Sequence, residues 1–208
     1  GLPMIEHTSE AFRDGGVRKI SPFFVPGSII NMVAGLASIH YGFHGPNRAI
    51  VSACSTANHS RGEAARLIEY GDADIMLAGG SEAAVTPLTV AGFAAMKALS
   101  TRNDDPATAS RPFDRDRDGF VIAEGSGVVV LERLEHAEAR GAAILGEIVG
   151  LGMSADAFHI TQPAPDGAGA RQAMRVCLAN AGLAPADVQY INSHGTSTPH
   201  GDVAETRA

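Results

Sequence analysis

"RAIVSACSTANHSRGEAARLIEYGDADIMLAGG", residues 48–80, decides the fold. Residues 48–53 are a short apolar run with strand character, residues 57–71 carry a helical pattern stopped by Gly71, and residues 73–80 are a second buried strand. A strand, a helix of about a dozen residues and another apolar strand make a βαβ unit, which predicts a parallel sheet covered on both faces. Cys54 falls where the first strand meets the helix.

The pattern extends outward on both sides. Ser28 reads as the cap of a sparsely charged helix that runs to Gly42 and gives way to the loop signal "HGPN". Residues 88–100 read as a helix, and 102–120, "RNDDPATASRPFDRDRDGF", as a long polar loop of the kind that often carries function. A strand running into a helix follows over 126–141, then a strand candidate within 142–156, a helix over 167–182 and a strand candidate at 188–195 that ends beside His194. Strand-then-helix recurs before and after about residue 142, so the expectation is an α/β chain of two related halves, 1–142 and 143–208.

Composition bounds what the chain does. The 208 residues are 45% hydrophobic, the range of a globular protein, with a formal charge of −7 that argues against a nucleic-acid surface. Its two cysteines, Cys54 and Cys177, are distant and form no C-x-x-C pair. A disulfide framework or cysteine-rich metal site is not expected, and a reducing cytoplasm is the natural setting. No apolar run reaches the roughly 20 residues of a membrane helix, and the N-terminus has no signal-peptide pattern. The two termini read as though cut within longer elements.

Two clusters are chemically suggestive. In an open α/β sheet reactive groups gather beyond the carboxyl ends of strands, where Cys54 lies. A thiol at a helix start sits at the positive end of the macrodipole and near free N–H donors, which favour thiolate over thiol. On spacing alone, a small buried apolar residue is the commoner reading of such a cysteine, and Cys177, inside "AMRVCLANAG", reads that way too. In "NSHGTSTPHGDVAE", residues 192–205, an imidazole at a strand end could donate to a developing oxyanion while threonine hydroxyls receive an extended polar ligand. His194, His200 and Asp202 could imitate a metal set, but no H-x-x-x-H pair lies on a predicted helix, and no metal is expected. His7, His40, His44 and His136 read as structural or surface residues. The glycines at 79–80 and in "EGSG", 124–127, fit no phosphate-loop pattern and read as close backbone packing.

"SACSTANH", "GDADIMLAGGSE", "ALSTRNDDPATASRPFDRDRDGFVIAEGSGVVVLE", "DAFHITQPAPDGAGA" and "NSHGTSTPHGDVAE" together resemble the β-ketoacyl-acyl-carrier-protein synthases, the type II elongating condensing enzymes above all. The resemblance covers essentially the whole chain. It implies a thiolase-like fold, layered α-β-α-β-α in two related halves, and a homodimer that needs no cofactor and takes its substrates from acyl carrier protein. It also implies a decarboxylative Claisen condensation in which Cys54 carries the acyl group and His194, the first active-site histidine, stabilises the enolate. Thr196 and Thr198 match the threonines that bind the pantetheine arm, and Thr161 lies in a motif flanking the same tunnel. Phe93 resembles an acyl-pocket residue. Phe24 falls in a segment used near the dimer interface and the acyl tunnel, and Asp202 and Glu205 are supporting acids, Glu205 matching one that pairs with a lysine further along. The family's second catalytic histidine, that lysine and a Gly-Phe-Gly-type loop have no counterpart before Ala208, so residues 1–208 by themselves are not expected to complete the condensation. Rival readings are a ketosynthase of an aromatic polyketide pathway, a cysteine hydrolase, and a non-catalytic chain-length-factor-like subunit. Cys54 argues against the last, and its apolar surroundings argue against a hydrolase.

Overall fold

The computed structural model describes all 208 residues, which pack as two units. Residues 1–90 with 123–146 form the first, and residues 91–122 with 147–208 the second.

In the first unit, helix α1 (Leu2–Gly15) is followed by α2 (Phe24–Ser28) and α3 (Met32–Tyr41). The helix expected from Ser28 to Gly42 therefore starts later, at Met32, because α2 already ends at Ser28 and Ile29 is extended. The Ser28 hydroxyl donates to the Phe24 carbonyl, closing α2 rather than opening a helix. Gly42 ends α3 in the left-handed region, φ 68°, as its position predicts. Helix α4 (Thr56–Glu69) buries Gly62, Ala64 and Leu67 and packs against strand β1 (Ile75–Glu82).

The strand pairing differs from the expected βαβ unit. Strand β1 pairs antiparallel with β2 (Gly125–Glu132), in register Ile75 with Glu132 and Glu82 with Gly125. Residues 48–53 join no ladder. The reason is local: the Ser52 N–H donates to Thr56 Oγ1 at 2.9 Å, and Ala53 turns to φ 49°, which no strand tolerates. The Gly79–Gly80 pair is packing, as read. A Cβ on Gly79 would lie 2.1 Å from the Gly127 carbonyl oxygen, and one on Gly80 would press on Ala57 of α4. Strand β2 leads into α6 (Leu134–Ala139), whose His136 bonds Glu132 Oε1 at 2.5 Å beside Arg140, 2.6 Å from Oε2.

Helix α5 (Pro87–Ala95) runs from the first unit into the second, where the other helices are α7 (Ala168–Ala181) and α8 (Pro199–Arg207). The strand candidates within 142–156 and at 188–195 form no ladder either. Residues 150–152 run directly against α7: a Cβ on Gly152 would meet the Ala173 carbonyl at 1.8 Å, and Asn180 Nδ2 donates to the Leu151 carbonyl at 2.6 Å. At the end of the later candidate, the N–H groups of His194 and Gly195 donate to the Glu205 carboxylate. Few large side chains reach the interior. Leu67 is the only large one among the buried hydrophobic residues, the others being alanines, and the apolar run Val128–Val130 of β2 is exposed. No helix is long and apolar enough to cross a membrane.

Candidate active site

In the first unit, Cys54 lies in a 3-10 turn, Ala53–Ser55, that opens directly into α4. It is exposed. Two helix residues hold the turn from its far side. Thr56 takes the Ser52 N–H, and His59 Nδ1 shares a 2.6 Å hydrogen bond with Ser52 Oγ. Ala53, at φ 49°, occupies a left-handed conformation that costs an L-residue about 1–2 kcal/mol. The result is an elbow that presents the thiol outward instead of packing it among the neighbouring alanines. Cys177, by contrast, sits half-buried within α7.

In the second unit, residues 194–205 are held by two sets of hydrogen bonds. The Glu205 carboxylate accepts from the His194 N–H and, at 2.8 Å, from the Gly195 N–H, fixing the backbone that carries the exposed imidazole. Thr196 Oγ1 and Thr198 Oγ1 lie 3.1 Å apart, and Thr198 also caps α8 by accepting from the Gly201 N–H at 3.2 Å, with Pro199 in the first turn where a lost donor is harmless. Between the threonines, Ser197 is fully buried at φ 65°. Its hydroxyl accepts from the Arg111 N–H at 3.1 Å, and its carbonyl accepts from the Gly119 N–H at 3.0 Å.

The polar loop 102–120 supplies further partners for this segment. Asp202, 1% exposed, accepts the Phe113 N–H at 2.7 Å and pairs with Arg117 Nε at 3.2 Å. Its other oxygen, Oδ1, has no partner. Arg111 bonds Asp118, 3.0 Å away. The Ser100 hydroxyl first, then the Thr101 N–H, hold the Asp118 carboxyl at about 2. Sequence reading named this loop as a candidate for function but none of its residues; the alternating charges of "RPFDRDRDG" were the available signal. His59 and Ser52 were missed as well, because a pair seven residues apart follows no motif spacing when a turn intervenes.

Of the other predicted site residues, Phe93 packs edge-to-face on Phe120 with centroids 5.2 Å apart, and Thr161 is exposed with its N–H donating to His159 Nδ1. Phe24, in the first unit, starts α2 half-buried. Glu205 thus holds the backbone of His194, while Thr196 and Thr198 are joined to each other and, through Arg117, to Asp202.

Against known proteins, residues 4–137 match the β-ketoacyl synthase N-terminal domain and residues 145–208 the β-ketoacyl synthase C-terminal domain. The chain belongs to the β-ketoacyl synthase family. It is 57% identical over 207 residues to the 3-oxoacyl-[acyl-carrier-protein] synthase 2 of Vibrio cholerae and 56% identical over 208 residues to that of Coxiella burnetii, each covering 100% of this chain and 50% of the relative. The chain therefore spans about half the length of these curated relatives. Among solved structures, a type II PKS ketosynthase in complex with its acyl-carrier protein and bound to the hexaketide is similar at TM-score 0.95 and 34% identity, covering 99% of this chain and 52% of that one. The β-ketoacyl synthase chain accordingly has the expected thiolase-like α/β fold, although only β1 and β2 form a hydrogen-bonded sheet.

Proposed function

We propose that the protein to which this chain belongs catalyses the decarboxylative Claisen condensation of fatty acid chain elongation. Cys54 Sγ attacks the acyl thioester carbon and the carrier thiol leaves. A malonyl thioester then loses carbon dioxide, its enolate carbon attacks the acyl-Cys54 carbonyl, and the cysteine sulfur departs with the 3-oxoacyl chain on the incoming carrier. Splitting the reaction through a covalent intermediate replaces one difficult step by two easier ones. His194 donates to the enolate oxygen, a charge that exists only after decarboxylation, so the contact lowers a barrier rather than merely binding substrate. Thr196 and Thr198 receive the pantetheine arm, Thr161 flanks its path, Phe93 lines the acyl pocket, Phe24 completes the pocket of the partner subunit, and Asp202 and Glu205 support the histidine segment. Acyl carrier protein delivers both substrates, no cofactor takes part, and the enzyme works as a cytoplasmic homodimer of two related halves, divided near residue 142.

The observation that supports this most is the exposed Cys54 on a strained elbow at the start of α4, in a chain 57% identical to a 3-oxoacyl-[acyl-carrier-protein] synthase 2. The likeness to a polyketide ketosynthase keeps a second substrate class in view, at the lower identity of 34%. Full-length enzyme given acyl- and malonyl-carrier protein tests the reading. The expected products are one carbon dioxide and one 3-oxoacyl-carrier protein per turnover. Repeated condensation without intervening reduction favours the polyketide reading, and free fatty acid with no carbon dioxide contradicts both.

A further inference from the structure

We propose that Arg117 is a positioning residue for the segment Thr196–Thr198, an inference that rests on the reading of those threonines as the pantetheine contacts. The guanidinium is only 13% exposed and each of its nitrogens is engaged within the protein. Nε reaches the Thr198 carbonyl at 3.0 Å and Asp202 Oδ2 at 3.2 Å, Nη2 the Pro199 carbonyl at 2.8 Å, and Nη1 the Asp114 carbonyl at 2.7 Å. Two of the four acceptors are main-chain oxygens of the residues that carry and follow the second threonine. A rigid planar fork suits this task, because carbonyls on different residues must be met from fixed directions.

What Arg117 holds is a conformation that does not hold itself. Ser197 sits buried at φ 65°, an uncommon choice for a non-glycine residue, and turning it inward leaves the Thr196 and Thr198 hydroxyls 3.1 Å apart on a half-buried face. The same loop pins Ser197 through the Arg111 and Gly119 N–H groups. Arg117 adds the ion pair to Asp202, in the first turn of α8 just beyond the threonines. With Arg117 shortened, the Thr198 and Pro199 carbonyls lose the guanidinium that ties them to the loop and Asp202 loses its counter-charge, and the hydroxyl pair is no longer fixed.

The test uses the full-length enzyme carrying Arg117→Met, Arg117→Lys, Thr196→Val and the double variant Arg117→Met with Thr196→Val. Arg115→Met serves as control, its side chain being 91% exposed. KM and kcat are measured with malonyl-carrier protein, and alkylation of Cys54 by iodoacetamide gives a readout that needs no pantetheine arm. Arg117→Met is expected to raise KM about tenfold with kcat within about twofold, the signature of lost substrate binding. Alkylation of Cys54 stays at the wild-type rate, Arg117→Lys falls between, and Arg115→Met changes nothing. Because Arg117 acts through the threonines, its loss adds little to Thr196→Val in the double variant. An unchanged KM in Arg117→Met, or effects of the two substitutions that simply multiply, overturns the inference. Should Arg117→Met fail to fold, Arg117→Lys carries the same cycle with Thr196→Val and the same criteria. If Thr196→Val alone leaves KM unchanged, the threonine reading fails, and the inference falls with it for a separately visible reason.

Discussion

Removing Asp202 should unfold the second unit more readily than removing any other single acid there. Its side chain is 1% exposed and its partner Arg117 13%, so Asp202→Ala strands a nearly buried cation and also leaves the Phe113 N–H without its acceptor. Breaking a buried ion pair from one side costs about 3–5 kcal/mol. Asp202→Asn keeps an acceptor for Phe113, and the carbonyls of Thr198, Pro199 and Asp114 still satisfy the guanidinium, so only the charge interaction is lost and the cost drops to about 1–2 kcal/mol. The reference is Asp116→Ala, whose pair with Arg115 is 72% and 91% exposed and contributes about 0–1 kcal/mol. Urea unfolding of the full-length enzyme, followed by midpoint and slope, measures all three. The order Ala, Asn, reference is the prediction, with a coupling of at least about 1 kcal/mol between Asp202→Ala and Arg117→Met in a double-mutant cycle. Equal stabilities for Asp202→Ala and Asp116→Ala, or a coupling indistinguishable from zero, would refute the reasoning.

Thr198→Val should cost about 1 kcal/mol through the lost α8 cap and also raise KM for malonyl-carrier protein, measured by urea midpoint and steady-state kinetics. Gly79→Ala should destabilise by about 1–3 kcal/mol, because its Cβ meets backbone of β2 rather than a movable side chain, and a thermal melt reads this directly. Two carboxyls set an acid limit. Arg140 and then His136 hold Glu132 at about 2 against an ordinary 4.5, and Ser100 and Thr101 hold Asp118 at about 2 against 3.8. Folded-state values below the unfolded ones mean stability that is present above about pH 4.5 and lost as pH falls toward 2. Glu132→Gln and Asp118→Asn should each flatten that loss in a pH series of urea midpoints.

The helices were legible because their stops were. Gly42, Gly141 and Gly182 adopt positive φ where the apolar pattern ends, at 68°, 67° and 67°. The strands were less so. "RAIVSA" reads as a strand by hydrophobicity, yet Thr56, which takes the Ser52 N–H, lies in the following helix and acts through a side chain that no periodicity reports. Likewise "VQYINSHG" gives no hint that Glu205, eleven residues beyond His194, takes the N–H groups at its end. Cys54 was placed correctly at the entry to a helix, since "ANHSRGEAARLIEYG" starts immediately after it. The clamp of Arg117 and Asp202 was out of reach: the partners are 85 residues apart, and a charged loop reads as solvated until the fold buries one of its members against an acid from another element.

Mass spectrometry of the full-length enzyme after brief incubation with acyl-carrier protein tests the central claim, that the sulfur raised on the elbow before α4 accepts the acyl chain. The account predicts a mass increase of one acyl group on the peptide containing Cys54, abolished by prior treatment with cerulenin. An acyl group found on Cys177, or a Cys54→Ala variant that acylates as fast as the wild type, contradicts it.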